Sequence, residues 1–171
     1  MGSNPIGGAT KRSLVSRTEA VFFVIKIYWE DTMKTEHSCG AVVFTRQNGI
    51  PLYVIVQSKE GFFGFPKGHT EANETEEETA LREIKEETGL SPSLIPGFRT
   101  EDEHLIPFTH KEPVMKHIVY FLAEYKDQSP KPQEEEISAI RLMPYEEAMA
   151  AFQFESSRRI LTEARRFLQQ E

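Results

Sequence analysis

Residues 68–90 read GHTEANETEEETALREIKEETGL, and the spacing of their acids decides how the chain is read. Thr75 and Glu78 stand three apart just ahead of an apolar-periodic run, a capping box that starts a helix. Gly89 supplies the residue that ends one. Between them Ala80, Ile84 and Thr88 recur on one face with Leu81 beside them, so that face is assigned to the core and the acids to the other side. Glu83, Glu86 and Glu87 fall at i, i+3 and i+4 and share a face of their own. Like charges this close destabilise an isolated helix. They make physical sense around a cation, and hard divalent ions such as Mg²⁺ take carboxylate oxygens. This stretch is therefore where metal-dependent chemistry is expected.

On the N-terminal side of the acidic helix, SCGAVVFT (38–45) and LYVIVQS (52–58) are strands joined by a turn at Asn48-Gly49. GFFGFPKGH (61–69), rich in glycine and aromatics, reads as a loop. On the C-terminal side, GFRTEDE (97–103) reads as a short strand and turn, and HLIPFTHKEPVM (104–115) as a long loop with two prolines. KHIVYFLAEY (116–125) is the strongest strand of this half. A polar loop SPKPQEEE, a short strand AIRLM and a helix opened by Pro144 follow. In the last helix Ser156 or Ser157 is the expected cap, with Ile160, Leu161, Ala164 and Phe167 forming its stripe. Strands mixed with helices predict an α/β or α+β sandwich.

Residues 1–32 differ from the rest. They are turn-rich and polar up to Ala20 and show no helix or strand period. Two readings stay open: an ordinary flexible extension, or a start called upstream of a natural one at Met33. The second draws on Gly2-Ser3-Asn4-Pro5, which back-translates to a sequence resembling the T-arm of a transfer-RNA gene. The domain is accordingly placed at 33–171. A chain of 171 residues is long enough for one domain with a full core. Its net charge of −7 argues against a duplex nucleic-acid surface, which needs an excess of Lys and Arg. The single cysteine, Cys39, is read as a small buried residue without an intramolecular disulfide, which fits a reducing cytoplasm. The longest apolar run, Val21 to Trp29, is broken by Lys26 and is too short to span a membrane.

Written as Gly68, five residues, Glu74, seven residues, then Arg82-Glu83-Ile84-Lys85-Glu86-Glu87-Thr88-Gly89-Leu90, the segment matches the signature GX5EX7REUXEEXGU at all nine specified positions. It thus resembles the Nudix hydrolases. The resemblance implies a mixed β-sheet between helices, a loop-helix-loop signature, and Mg²⁺- or Mn²⁺-dependent hydrolysis of a nucleoside diphosphate linked to another group. It implies Glu83, Glu86 and Glu87 as metal ligands, Arg82 steadying them through Glu74 or Glu78, and a backbone carbonyl near Lys67-Gly68 completing the site. Glu76, Glu77 and Glu78 are read as a solvated helix face.

Flanking residues narrow the substrate. Phe65-Pro66-Lys67-Gly68-His69 resembles the PKGH entry of the asymmetrical diadenosine tetraphosphate (Ap4A) hydrolases, and Lys116-x-x-x-Tyr120 resembles their strand motif K-x-x-x-Y. Positions i and i+4 of a strand face one side, so Lys116 and Tyr120 are set to reach one phosphate chain. Ala139 to Ala148 resembles that group's A-x-R-W-L-x-x-E-E-A, which places a further metal- or water-directed glutamate at Glu136, with Glu134 and Glu135 adjacent. Phe154 matches an aromatic that stacks on adenine, and Phe108 is the candidate for the base's other face. Where animal members carry a His-Trp pair, this chain reads Phe62, Phe63, Gly64. The expected reaction is Ap4A plus water to ATP plus AMP. The expected substrate is a small-molecule nucleotide, and the protein is expected to be a monomer or homodimer. The alternatives are another Nudix pyrophosphohydrolase, acting on nucleoside triphosphates or capped RNA, and a non-catalytic nucleotide-sensing domain.

Overall fold

In a computed structural model of the chain, residues 34–106 and 113–170 are described. The readings made on the 1–32 extension, on Val21–Trp29 and on Phe108 therefore lie outside the described residues. The centre of the fold is a parallel pair, β1 (Lys34–Gln47) beside β6 (Val114–Glu124), in register from Lys34↔Val114 to Phe44↔Glu124. The middles of both strands are apolar on both faces, as a sheet covered on both sides requires. Val42, Phe44, Ile118, Tyr120 and Leu122 enter one core; Cys39, Ala41, Val43, Val119, Phe121 and Ala123 enter the other. Cys39 is buried and free, as read.

β2 (Ile50–Ser58) returns from β1 through Asn48 and Gly49, both at positive φ (51° and 80°), the backbone a two-residue hairpin turn needs. β2 stays paired with β1 only as far as Tyr53↔Phe44. Beyond that point β1 pairs with β4 (Lys67–His69), and β2 pairs with β3 (Phe63–Gly64) and β7 (Ile137–Met143). The segment 61–69, expected as a loop, thus contributes two short strands. Gly40 makes this possible: a Cβ there would lie 2.2 Å from the Pro66 carbonyl oxygen and 2.5 Å from Lys67 Cβ. Only a residue without a side chain lets β4 approach so closely.

β5 (Ser93–Ile106) corrects the expectation of a short strand followed by a long loop. It pairs with β6 as far as Ile106↔Val114, with one irregularity between Leu94 and Arg99, where Gly97 takes φ 90°. RTEDEH has no apolar alternation to reveal it. Its side chains are held by charge instead, with Arg99 on Glu76 and Glu101, and His117 on Glu101.

The acidic helix, α1 (Glu76–Thr88), lies on one face of the sheet, with Ala80 and Ile84 in the core shared with Leu90, Val119 and Phe121. Its start is the capping box read from sequence, Thr75 with Glu78, and it ends at Gly89 with φ 71°. α2 (Tyr145–Ala151) and α3 (Glu155–Leu168) cover the other face through Ala148, Ile160, Leu161 and Ala164. The result is the expected mixed sheet between helices. Two details differ from expectation. α3 begins behind Phe154 with no side-chain cap, so neither Ser156 nor Ser157 caps it. On α1, Glu83 and Glu87 are buried (8% and 7% exposed) instead of facing solvent, because they flank the Ala80–Ile84 stripe where α1 meets β4.

Candidate functional site

Glu83 is buried because Gly68 leaves room for it. An added Cβ at position 68 would fall 2.1 Å from the Glu83 carboxyl carbon, so the carboxylate occupies the space a side chain would fill. Gly68 is itself fixed by pairing with Cys39 in the β1–β4 ladder. Arg82 then ties loop to helix. Its Nε and Nη2 donate to the two oxygens of Glu74 at 2.7 and 2.9 Å, a bidentate pairing with fixed geometry. Nη1 donates to Glu83 at 2.7 Å and to Glu86 at 3.0 Å, and Nη2 also reaches the His69 carbonyl at 2.9 Å. Of the two partners read for Arg82, Glu74 is the one observed; Glu78 is engaged in the cap. The Arg82 guanidinium, helped by the Thr79 hydroxyl, holds the Glu74 carboxyl down to about 2.

Glu83 and Glu87 go the other way. Burial pushes both carboxyls up, Glu87 to about 7, against the opposing pull of Arg82 on Glu83 and of Lys67 on Glu87. The backbone N–H of Lys67 donates to Glu87 Oε2 at 3.2 Å. Glu136 lies close enough that its charge raises both. It is delivered by a loop docked on the end of α1: Lys131 N–H donates to the Thr88 carbonyl at 2.8 Å, Gln133 N–H to the Glu87 carbonyl at 3.1 Å, and Glu136 N–H turns back onto Gln133. Glu134, by contrast, is exposed and offers its carbonyl to Lys59.

Two nearly buried carboxylates, Glu87 raised by the charge of Glu83 and both raised by a third, Glu136, are all-oxygen donors suited to a hard divalent cation. Glu83, Glu87 and Glu136, together with the backbone at Gly68, supply the donor chemistry such an ion takes, and their carboxylates would have to close further to seat one. Glu86 is exposed and bonded to Arg82, and among the described residues no three His, Cys, Asp or Glu side chains already converge on one point. Seating an ion on Glu86 therefore requires that side chain to turn from Arg82.

Gly68, Glu87 and Glu136 open into a cleft of ≈ 730 Å³, whose lining does not include Glu83 or Glu86. Lys67, Gly68, His69, Glu87, Lys116, Tyr120, Glu136 and Phe154 all line it, so segments far apart in the sequence meet at one place. Lys116 is partly buried, and burial, reinforced by the charge of Lys67, pushes its ammonium below the usual range. Two lysines facing one cleft suit a polyanion. His69 is exposed and its ring meets Glu36 at 3.3 Å. Tyr120 is 6% exposed and packs edge-on against Phe65, so it belongs to the core as well as to the cleft wall.

Sequence reasoning missed several wall residues. Asp102 and His104 line the cleft because β5 extends past Thr100, and His104 stands directly across from Lys116. Gly40 was a second missed position, with only the bare glycine inside a β-branched strand to signal it. Phe62 also lines the cleft and touches Phe154.

The NUDIX domain family matches residues 34–164. The chain is 34% identical over 143 residues to the mouse bis(5'-nucleosyl)-tetraphosphatase [asymmetrical], covering 77% of this chain and 94% of that protein. A crystal structure of a C. elegans Ap4A hydrolase binary complex superposes with a TM-score of 0.70 at 19% identity, covering 80% of this chain and 99% of that one. The NUDIX domain of Shewanella oneidensis NrtR complexed with ADP ribose gives 0.61 at 17% identity, over 86% and 97%.

Proposed function

The chain belongs to the Nudix hydrolase family, and from that premise we propose that it hydrolyses Ap4A asymmetrically, to ATP and AMP, with Mg²⁺ or Mn²⁺. The observation that carries the reading is the meeting of Lys67, Lys116 and Phe154 in the cleft onto which Glu87 and Glu136 open. The cleft wall offers charge for a phosphate chain and an aromatic surface for a base.

Glu83, Glu87 and Glu136, with Glu86 once it leaves Arg82, would hold the cation. Bound there, it would supply positive charge to non-bridging phosphate oxygens and lower the pKa of water. The chain's own groups do the rest. Lys67 and Lys116 offset the charge of the polyphosphate, so that a water can approach phosphorus against less repulsion. His69 and Tyr120 line the same cleft. Glu136, carried on a loop outside α1, would orient that water or take its proton. Arg82 contacts no substrate in this account: its Glu74 clamp fixes the angle of the carboxylates. Phe154 stacks on one adenine, and Phe108 remains the proposed second face.

Steady-state kinetics on Ap4A, dGTP, ADP-ribose and 5′-triphosphorylated RNA, with Mg²⁺ and with EDTA, test this reading. The highest kcat/KM is expected for Ap4A, with turnover lost in EDTA. A clear preference for another substrate overturns the substrate assignment, and undiminished turnover in EDTA overturns the metal.

A further inference from the structure

Phe62 and Phe154 are 47% and 49% exposed on the wall of the same cleft. Large aromatics side by side in the open mark a surface that takes a ligand. They come from distant parts of the chain, Phe62 from the turn between β2 and β3 and Phe154 from the residue preceding α3. That turn is closed by Gly61 N–H to the Ser58 carbonyl at 3.0 Å and Ser58 N–H to the Phe62 carbonyl at 2.9 Å. The Phe63 N–H donates to Gln153 Oε1 at 3.0 Å, which ties the residue after Phe62 to the residue before Phe154. The two rings are therefore placed by backbone geometry and one side-chain hydrogen bond.

Their centroids are 5.2 Å apart with planes tilted by 50°. At that separation the rings touch each other. A third ring between them would need a gap of about 7 Å, two contacts of about 3.5 Å each. The pair is thus a shelf of two half-exposed rings and not a slot. Lys67, Lys116 and His69 line the same cleft. A ligand that uses both features carries a planar apolar group and anionic groups.

We propose that Phe62 and Phe154 form one aromatic shelf, held in register by Gln153, that takes the heteroaromatic base of a nucleotide. Phe62 is then a residue that selects nucleotides over base-free polyphosphates, and Gln153 is a positioning residue. The proposal rests on the nucleotide-hydrolase reading above and adds Phe62 and Gln153 to it.

Binding of the fluorescent nucleotide 1,N6-etheno-AMP, alongside binding of inorganic tripolyphosphate, is the test. Phe62→Leu keeps bulk and removes the aromatic face. It should weaken etheno-AMP about tenfold, the scale of one lost base–aromatic stack, and leave tripolyphosphate within twofold. Phe62→Tyr should restore nucleotide binding. Gln153→Ala should weaken etheno-AMP alone, by less than Phe62→Leu. Unchanged etheno-AMP binding in Phe62→Leu, an equal loss for both probes, or no etheno-AMP binding by the wild type overturns the proposal. If Ap4A proves a poor substrate while etheno-AMP still depends on Phe62, the substrate assignment fails and the shelf stands. If Ap4A is preferred but Phe62→Leu binds etheno-AMP normally, the shelf fails and the substrate assignment stands.

Discussion

Gly68→Ala should separate activity from stability. The new Cβ would sit 2.1 Å from the Glu83 carboxyl carbon and within 2.2 Å of both its oxygens. Ordinary contact is about 3.5 Å, so the carboxylate must retreat by more than about 1 Å. It can do so, because it is the free end of a flexible side chain and β4 does not need to move. The retreat stretches but does not abolish the 2.7 Å charged hydrogen bond from Arg82, a loss of about 1 kcal/mol of the ~1.5–3 kcal/mol such a bond contributes. Replacing glycine by alanine in extended backbone returns about 0.4–1 kcal/mol by restricting the unfolded chain. The two effects nearly cancel, so urea denaturation should report a change within about 1 kcal/mol. Turnover should respond differently, since about 1 Å of misplacement at a reacting centre costs on the order of 10²-fold. Gly40→Ala is the contrast. Its Cβ meets the Pro66 carbonyl oxygen at 2.2 Å and the base of Lys67, neither of which can swing aside, so it should destabilise by about 1–3 kcal/mol. Turnover by Gly68→Ala within threefold of wild type would refute the reasoning about Glu83. A loss of more than about 3 kcal/mol would refute the claim that only a side-chain end has to move.

Glu87→Gln should abolish nearly all turnover while keeping the fold. Because burial raises the Glu87 carboxyl from 4.5 to about 7, its contribution to metal-free stability is fully present below about pH 4.5 and is lost as pH rises through 7, by up to about 3 kcal/mol. Denaturation in EDTA at pH 5.5 and 8.5 should show this fall in wild type and a flatter response in Glu87→Gln; equal slopes would contradict the burial argument. Glu136→Gln should lower kcat by about 10–100-fold, whereas Glu134→Gln and Glu135→Gln stay within twofold, and a larger effect at 134 or 135 would move the assignment. Lys116→Met keeps the buried stem and removes the charge. It should cost about 10–100-fold in kcat/KM, the scale of a charge-assisted hydrogen bond, and an unchanged kcat/KM would place Lys116 outside the phosphate path.

The helix of the site was legible because its information is local. A capping box, a glycine C-cap and a stripe of Ala80 and Ile84 all act within four residues, so a single window shows them. The burial of Glu83 and Glu87 was not, because it depends on Gly68 and Gly40 letting β4 slide beneath α1, a long-range fact that two bare glycines encode weakly. β5 was under-read for a related reason. Its charged residues pair with α1 and β6, and polar residues carry no period-2 signature of burial. Glu136 was placed among three consecutive glutamates by motif register, and the loop that delivers it is fixed by backbone bonds to the end of α1. Phe62 was noted only as a departure, since its contact with Phe154 spans ninety-two positions of sequence.

Product analysis bears most directly on the central claim. Ap4A incubated with the protein and Mg²⁺, with nucleotides separated during the first few per cent of turnover, should give ATP and AMP in equal amounts, and none when EDTA replaces the metal. Two molecules of ADP, or no cleavage of Ap4A under conditions where another nucleotide is hydrolysed, would contradict the account.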